Sequence, residues 1–318
     1  MSDEVRVPRG VGLAETLLDL GVPYAATNGV LAAAERVAGD ATAHGQLVGA
    51  VQEFIRDMGE VGGGPGGGPA LGPDLDARAA RAGAAPGPWF ALLVLAATRP
   101  HTAAYHRALG VPEEVTRRTL ADVGRHMAVH ARRHGTPGLA NTSWLARHFR
   151  GVLVQLGRLQ FERTRLGGRT GTALAAAGVA AGPGTRALGL HIPDFTGPLD
   201  PAACDASFDR ARAFFARHHP DEPAAIVTCH SWLLDPQLAE YLPRDSRILA
   251  FQRRFTAVWA GPEPDDATTL GFVFGDPAAD PSALVARSAL ERAVLAHLAA
   301  GRHWTGGTGW LPLPPGAA

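Results

Sequence analysis

Histidine carries most of the reactive chemistry in this sequence. Lys and Arg together number 30, and no position is lysine, so a lysine nucleophile or Schiff base is excluded. Of the 13 histidines, His191 and His230 each lie near the end of a β-like run: TRALGLHIP (Thr185 to Pro193) and AAIVTCHSW (Ala224 to Trp232). Alternate residues of a strand share a face. Thr228, His230 and Trp232 therefore point one way, and Cys229 and Ser231 the other. The adjacent Cys229 and His230 cannot serve as a nucleophile–base pair, and Cys229 reads as a buried, inert thiol. His126, His130 and His134 fall at i, i+4 and i+8 on one helix face, the spacing of a metal stripe. No HExxH motif or acidic third ligand accompanies them, and Arg125, Arg132 and Arg133 crowd them with positive charge. They read as a solvated or interdomain helix face, with no metal.

The elements that must position these residues change character near Trp144. Residues 11 to 59 have helical apolar spacing, with Leu13, Leu17 and Leu18 in the first run. Gly59 to Asp74, GEVGGGPGGGPALGPD, is low-complexity and reads as a flexible connection that buries little. Helices are expected near Pro88 to Ala97 and again after Pro112, the latter opening on acidic residues and closing on Gly135. From Val154 to Leu166, VQLGRLQFERTRL alternates, with Leu159 and Phe161 on one side and Arg158, Gln160 and Glu162 on a wet face. Residues 167 to 185 read as a Gly/Ala-rich connection. Asp200 is placed to cap a helix with Pro201 in its first turn, and Asp235 to cap the short DPQLAEYLP helix. RILAFQRRFTAVW and TTLGFVFG are expected to form a hairpin, and Ser282 to Ala300 a last amphipathic helix. The fold class is α+β, in two domains of residues 1–147 and 148–318, the second a mixed sheet flanked by helices.

Composition narrows the partners. Acidic and basic residues balance at 30 each, giving no net field for nucleic acid or anionic membrane. The start MSDEVRVPRG is polar, without the apolar run of a signal peptide, and no apolar run reaches the length of a membrane span. Two cysteines, Cys204 and Cys229, make no disulfide framework. A cytoplasmic protein is expected.

The phrases LGLHIPDFTGPLDP (Leu188 to Pro201), CHSWLLDPQLAEYLP (Cys229 to Pro243) and ILAFQRRF (Ile248 to Phe255) resemble actinobacterial acyltransferases with a C-terminal domain like the GCN5-related N-acetyltransferases (GNAT). TLADVGRHM and HFRGVLVQLGRLQFER resemble the helical N-terminal domain of the same proteins. The resemblance runs from about residue 15 to 315. It implies two parallel strands, Leu188–Pro193 and Ala224–Trp232, that splay apart around the pantetheine arm of a thioester. It further implies acetyl-CoA or a longer acyl-CoA as donor, no metal, and a small-molecule or peptide amine as acceptor. An acyl carrier protein as donor is the close variant, and a non-catalytic thioester- or partner-binding module the different class. His230, His191 and Glu162 become candidates for handling the amine's proton. Ser231 becomes a partner for the thiolate or carbonyl, and Tyr241 an acid for the thiolate. Leu190, His191, Ile192, Gly197, Leu199 and Trp232 would line the donor. One departure stands out: PDFTGPLDP replaces the glycine-rich phosphate loop, with only Gly197, a proline that lacks an N–H, and Asp200 at the helix mouth.

Overall fold

The computed structural model describes residues 5–62, 72–139, 141–194, 196–260 and 264–313. Two compact units divide these residues between Gln155 and Leu156. None of the described helices is long and apolar enough to cross a membrane.

The first unit is helical: α1 (Gly10–Asp19), α2 (Tyr24–Gly39), α3 (Ala41–Arg56), α4 (Leu75–Ala82), α5 (Phe90–Ala108), α6 (Glu113–Leu120), α7 (Asp122–His134) and α8 (Thr142–Phe149). The apolar run that opens α5 is buried without a break from Phe90 to Thr98, so it is the axis around which the amphipathic helices pack their apolar stripes. Asp40 caps α3 by accepting from Thr42 and Ala43, and Gly135 ends α7 in the left-handed region at φ 65°, as its position after the last turn suggests. Of the Gly59–Asp74 connection, residues 63–71 lie outside the described residues. Its ends are held. The Gly59 N–H donates to the Arg150 carbonyl at 2.8 Å, the Gly72 N–H to Asp57 at 2.9 Å, and Asp74 caps α4. The flexible reading therefore does not extend to those termini.

The histidine stripe of α7 has an acidic partner that its spacing did not suggest. Asp122, 2% exposed, lies one turn before His126 and accepts from His148 Nε2 at 2.9 Å. It also faces His126 at 3.5 Å and is paired with Arg125. Burial alone would raise its pKa, but His148, His126 and Arg125 together hold the carboxyl far below the usual carboxylate range. His130 instead bonds the Thr136 carbonyl at 3.1 Å and packs on His134 with centroids 4.5 Å apart. Among the described residues no group of three or more His, Cys, Asp or Glu is arranged to hold a metal.

A stability prediction follows from Asp122. A depressed carboxyl stabilises the fold above its unfolded pKa, near 4, and loses that contribution as pH falls through the folded value. Asp122→Asn leaves Arg125 without its buried counter-charge and should cost about 3–5 kcal/mol at neutral pH. The gap between wild type and variant should shrink below about pH 4. Thermal unfolding across pH 2–7 measures this, and a gap independent of pH would refute it.

The sheet begins with a short strand that contains the boundary between the units and continues through the second unit. Its order is β1 (Leu153–Leu156), β2 (Leu159–Arg165), β3 (Arg186–His191), β4 (Ile226–Ser231), β6 (Gly307–Pro312), β5 (Thr256–Ala260). Val154 to Leu166 is thus two strands, not one. Gly157, at φ 83°, breaks them, and a Cβ there would lie 2.4 Å from Arg210 Nη1. Helix α9 (Gly168–Ala176) occupies the stretch expected as irregular, because its alanines favour helix. Helix α10 (Pro201–His218) forms as expected, with Asp200 accepting from Ala202 and Ala203. It links β3 to β4, which are adjacent and parallel. Asp235 caps the short 3-10 turn Pro236–Glu240.

The expected hairpin of RILAFQRRFTAVW and TTLGFVFG does not exist. Ser246 caps α11 (Arg247–Gln252) and Asp265 caps α12 (Asp266–Val273), so only β5 between them is extended. Short apolar runs fit either period, and here the caps decide. The partner of β5 is β6, which follows α13 (Ala289–Ala299), a helix begun by a Ser288–Glu291 capping box rather than at Ser282.

Candidate active site

The strand register places several polar side chains of the sheet on one face. Glu162, Gly189, Thr228 and Trp310 form a row across β2, β3, β4 and β6. One step along, His191 stands opposite Gln160, and His230 opposite Thr308. On the reverse face Phe161 packs edge-on against Phe208 of α10, with centroids 5.7 Å apart. The wet face expected for β2 is not wet: Gln160 is 1% exposed and the Glu162 side chain 18%. Polar groups withdrawn from water on one sheet face mark a site more strongly than an exposed strand would.

Between β3 and β4 the ladder runs from Leu188↔Val227 to Leu190↔Cys229 and ends there. His191 remains paired with β2, and His230 with β6. His191 and His230 are therefore the first residues past the last β3–β4 pair.

His191 Nε2 lies 2.9 Å from Glu162 Oε2. Glu162 sits opposite Gly189, not opposite His191, so the imidazole must lean over Gly189 to reach it. A Cβ on Gly189 would stand 3.3 Å from that nitrogen and 3.7 Å from the carboxylate oxygen. An ionised carboxylate only accepts, so the bond places the ring proton on Nε2 and makes Nδ1 the acceptor in the neutral ring. His230 makes a second, different pair: its Nδ1 is 2.7 Å from Thr308 Oγ1. Thr170, Thr228, Cys229, His230 and Thr308 line an open concavity of about 310 Å³.

The remaining candidates are engaged elsewhere. Ser231 Oγ accepts from the Leu233 N–H at 3.1 Å and starts the turn after β4. The Tyr241 hydroxyl is 3.1 Å from His297 Nδ1. His297 Nε2 must donate to the His303 carbonyl, so Nδ1 accepts and Tyr241 donates. Trp232 stacks on Phe272 at 6.4 Å. Leu199 is buried, and Gly197 turns the loop at φ 86°. Burial pushes the Cys229 thiol up to about 12, which keeps it protonated and unreactive.

The loop before α10 is built on itself. Asp200 occupies the first free amides of the helix, and Arg158 donates to the Pro193 and Pro198 carbonyls at 3.3 and 3.1 Å. A diphosphate would find those helix amides already satisfied.

Two residues of the site escaped sequence reasoning. Gly189 carries no chemistry of its own and matters only because His191 crosses it. Thr308 sits on β6, whose glycines obscure it as a strand. The alternation of Gly307 and Gly309 with Thr308 and Trp310 was the available signal. A Cβ at Gly307 would lie 2.6 Å from the Leu234 carbonyl oxygen, and one at Gly309 2.7 Å from the Phe255 Cβ, so the small positions face closely packed chain.

Residues 12–151 match the family described as N-acyltransferase N-terminal domain, and residues 153–311 that described as GNAT-like C-terminal domain. Comparison with curated proteins finds no match. Among solved structures, an acyltransferase in complex with CoA and 10C-teicoplanin is 38% identical, covering 99% of this chain and 91% of its own, with a TM-score of 0.82. An acyltransferase in complex with decanoyl-CoA and teicoplanin is 37% identical over the same shares, with a TM-score of 0.77. One in complex with decanoyl-CoA is 36% identical, covering 98% and 91%, with a TM-score of 0.80.

Proposed function

The chain belongs to the N-acyltransferases that join a helical N-terminal domain to a GNAT-like C-terminal domain, and from that premise we propose that Glu162 and His191 manage the proton in transfer of an acyl group from acyl-CoA to an amine. The observation that carries this reading is the 2.9 Å Glu162–His191 pair just past the last β3–β4 ladder pair, Leu190↔Cys229. In this reading β3 and β4 part beyond that pair, and the pantetheine arm lies along the backbone of Leu190 to Ile192, which brings the thioester carbon to the two histidines. A neutral amine attacks that carbon directly. As the C–N bond forms, a proton leaves nitrogen for His191 Nδ1, and the negative Glu162 offsets the charge the ring gains. The C–S bond then breaks, and the same proton passes to the departing thiolate. No acyl-enzyme forms, because the thiol next to His230, Cys229, is buried and kept protonated.

Decanoyl-CoA held by the relatives favours donors longer than acetyl-CoA, and teicoplanin bound to them favours a large small-molecule amine as acceptor. A cytoplasmic site of action accords with a CoA donor. The occupied amides at α10 favour a second donor, an acyl carrier protein, which presents the same arm without the nucleotide. Incubation with decanoyl-CoA or decanoyl carrier protein, each with teicoplanin as the acceptor probe, separates the two by product mass. Acylated product from neither would overturn the reading. CoA at 100 times its Kd should also stabilise the fold by about 2.7 kcal/mol, which thermal unfolding reads directly.

A further inference from the structure

We propose that Thr308 is a positioning residue that fixes the tautomer of His230 and so makes that histidine a hydrogen-bond donor to the reacting carbonyl. This rests on the reading of the sheet face as an acyl-transfer site. Thr308 is 5% exposed and stands directly across the β4–β6 ladder from His230. Its hydroxyl lies 2.7 Å from Nδ1, and that is its one side-chain bond among the described residues. A hydroxyl so enclosed needs an acceptor for its proton, and a buried donor left unmade is costly. If Nδ1 carried the ring proton, the hydroxyl oxygen would accept it, and the hydroxyl hydrogen would have no acceptor of its own among the described residues. With Thr308 donating to Nδ1, the ring proton sits on Nε2.

The two histidines past the end of the β3–β4 ladder are thus held in complementary states by their partners. The carboxylate of Glu162 takes the Nε2 proton bond of His191 and turns Nδ1 into the acceptor. The hydroxyl of Thr308 takes Nδ1 of His230 and leaves Nε2–H as the donor. A neutral imidazole that donates stabilises the oxyanion of the tetrahedral state without surrendering its proton. It is not the base.

The test uses the full chain labelled with 15N-histidine, together with Thr308→Val and Thr308→Ser. His230→Gln identifies the His230 signals. Wild type and Thr308→Ser should show His230 protonated on Nε2, and Thr308→Val should show both tautomers in exchange. Turnover of decanoyl-CoA with teicoplanin should fall about 10-fold or more in kcat for valine, with KM for the thioester unchanged, and recover in serine. A wild-type His230 protonated on Nδ1, or a valine variant with unaltered tautomer and kcat, would overturn the proposal. Nitrogen shifts as expected in a protein that turns over neither donor would sink the acyl-transfer reading while leaving Thr308 its role. The serine variant separates loss of the hydroxyl from loss of the fold.

Discussion

Replacing His191 by alanine should lower kcat by about 10² to 10⁴-fold, the range of a positioned general base. The thioester should bind nearly as before, since the proposed seat of the arm is backbone that the substitution leaves in place. Glu162→Gln should cost less, because glutamine still accepts from Nε2 but brings no charge to offset the imidazolium. Gly189→Ala provides the geometric control. Its methyl group, at 3.3 Å from the ring nitrogen, must push His191 or Glu162 aside, so kcat should fall while every catalytic atom remains. Pre-steady-state measurement of CoA release, compared with binding of CoA by calorimetry, distinguishes these effects. If His191→Ala and Glu162→Gln both retain wild-type kcat, the base is not in this dyad and catalysis rests on positioning an amine already deprotonated.

The second large effect is expected at His230. His230→Ala should lower kcat by about 10² to 10³-fold, as loss of one donor to a developing oxyanion does. It should differ from His191→Ala in its response to the acceptor. A preformed neutral, strongly basic amine needs less help with its proton, so raising pH should partly rescue His191→Ala and leave His230→Ala unimproved. His130→Ala should match wild type, since its ring, on α7 of the other unit, bonds the Thr136 carbonyl just past the end of that helix. A parallel fall in melting temperature and activity for His230→Ala would mark a structural residue. The two variants thus test separate halves of one mechanism.

Much of the site was legible as chemistry before it was legible as geometry. Alternation within AAIVTCHSW put Cys229 and His230 on opposite faces, and the fold keeps them there because a strand's pleat is local. The α10 cap at Asp200 and the helix end at Gly135 were likewise readable, each being set by residues within one turn of it. The pairing of Glu162 with His191 was not. It depends on the register of β2 against β3 and on a glycine between them, and register is settled by partners far apart in sequence. The same holds for Thr308, which lies 78 residues from His230 on a glycine-rich strand.

The errors have a common cause. RILAFQ and TTLGFV are short apolar runs that suit a strand or a helix, and Ser246 and Asp265 tip them into helices by satisfying their first amides. The alanines of residues 167 to 185 looked like linker composition, yet form a helix in which Gly171 lies so close to Pro183 that no Cβ would fit. What sequence alone determined here were the two-part organisation, the family and the reactive residue types, because local spacing and phrase suffice for them. The tertiary structure decided which of those residues meet. A hydrogen bond reaches about 3 Å, and only the register of distant strands brings side chains that near.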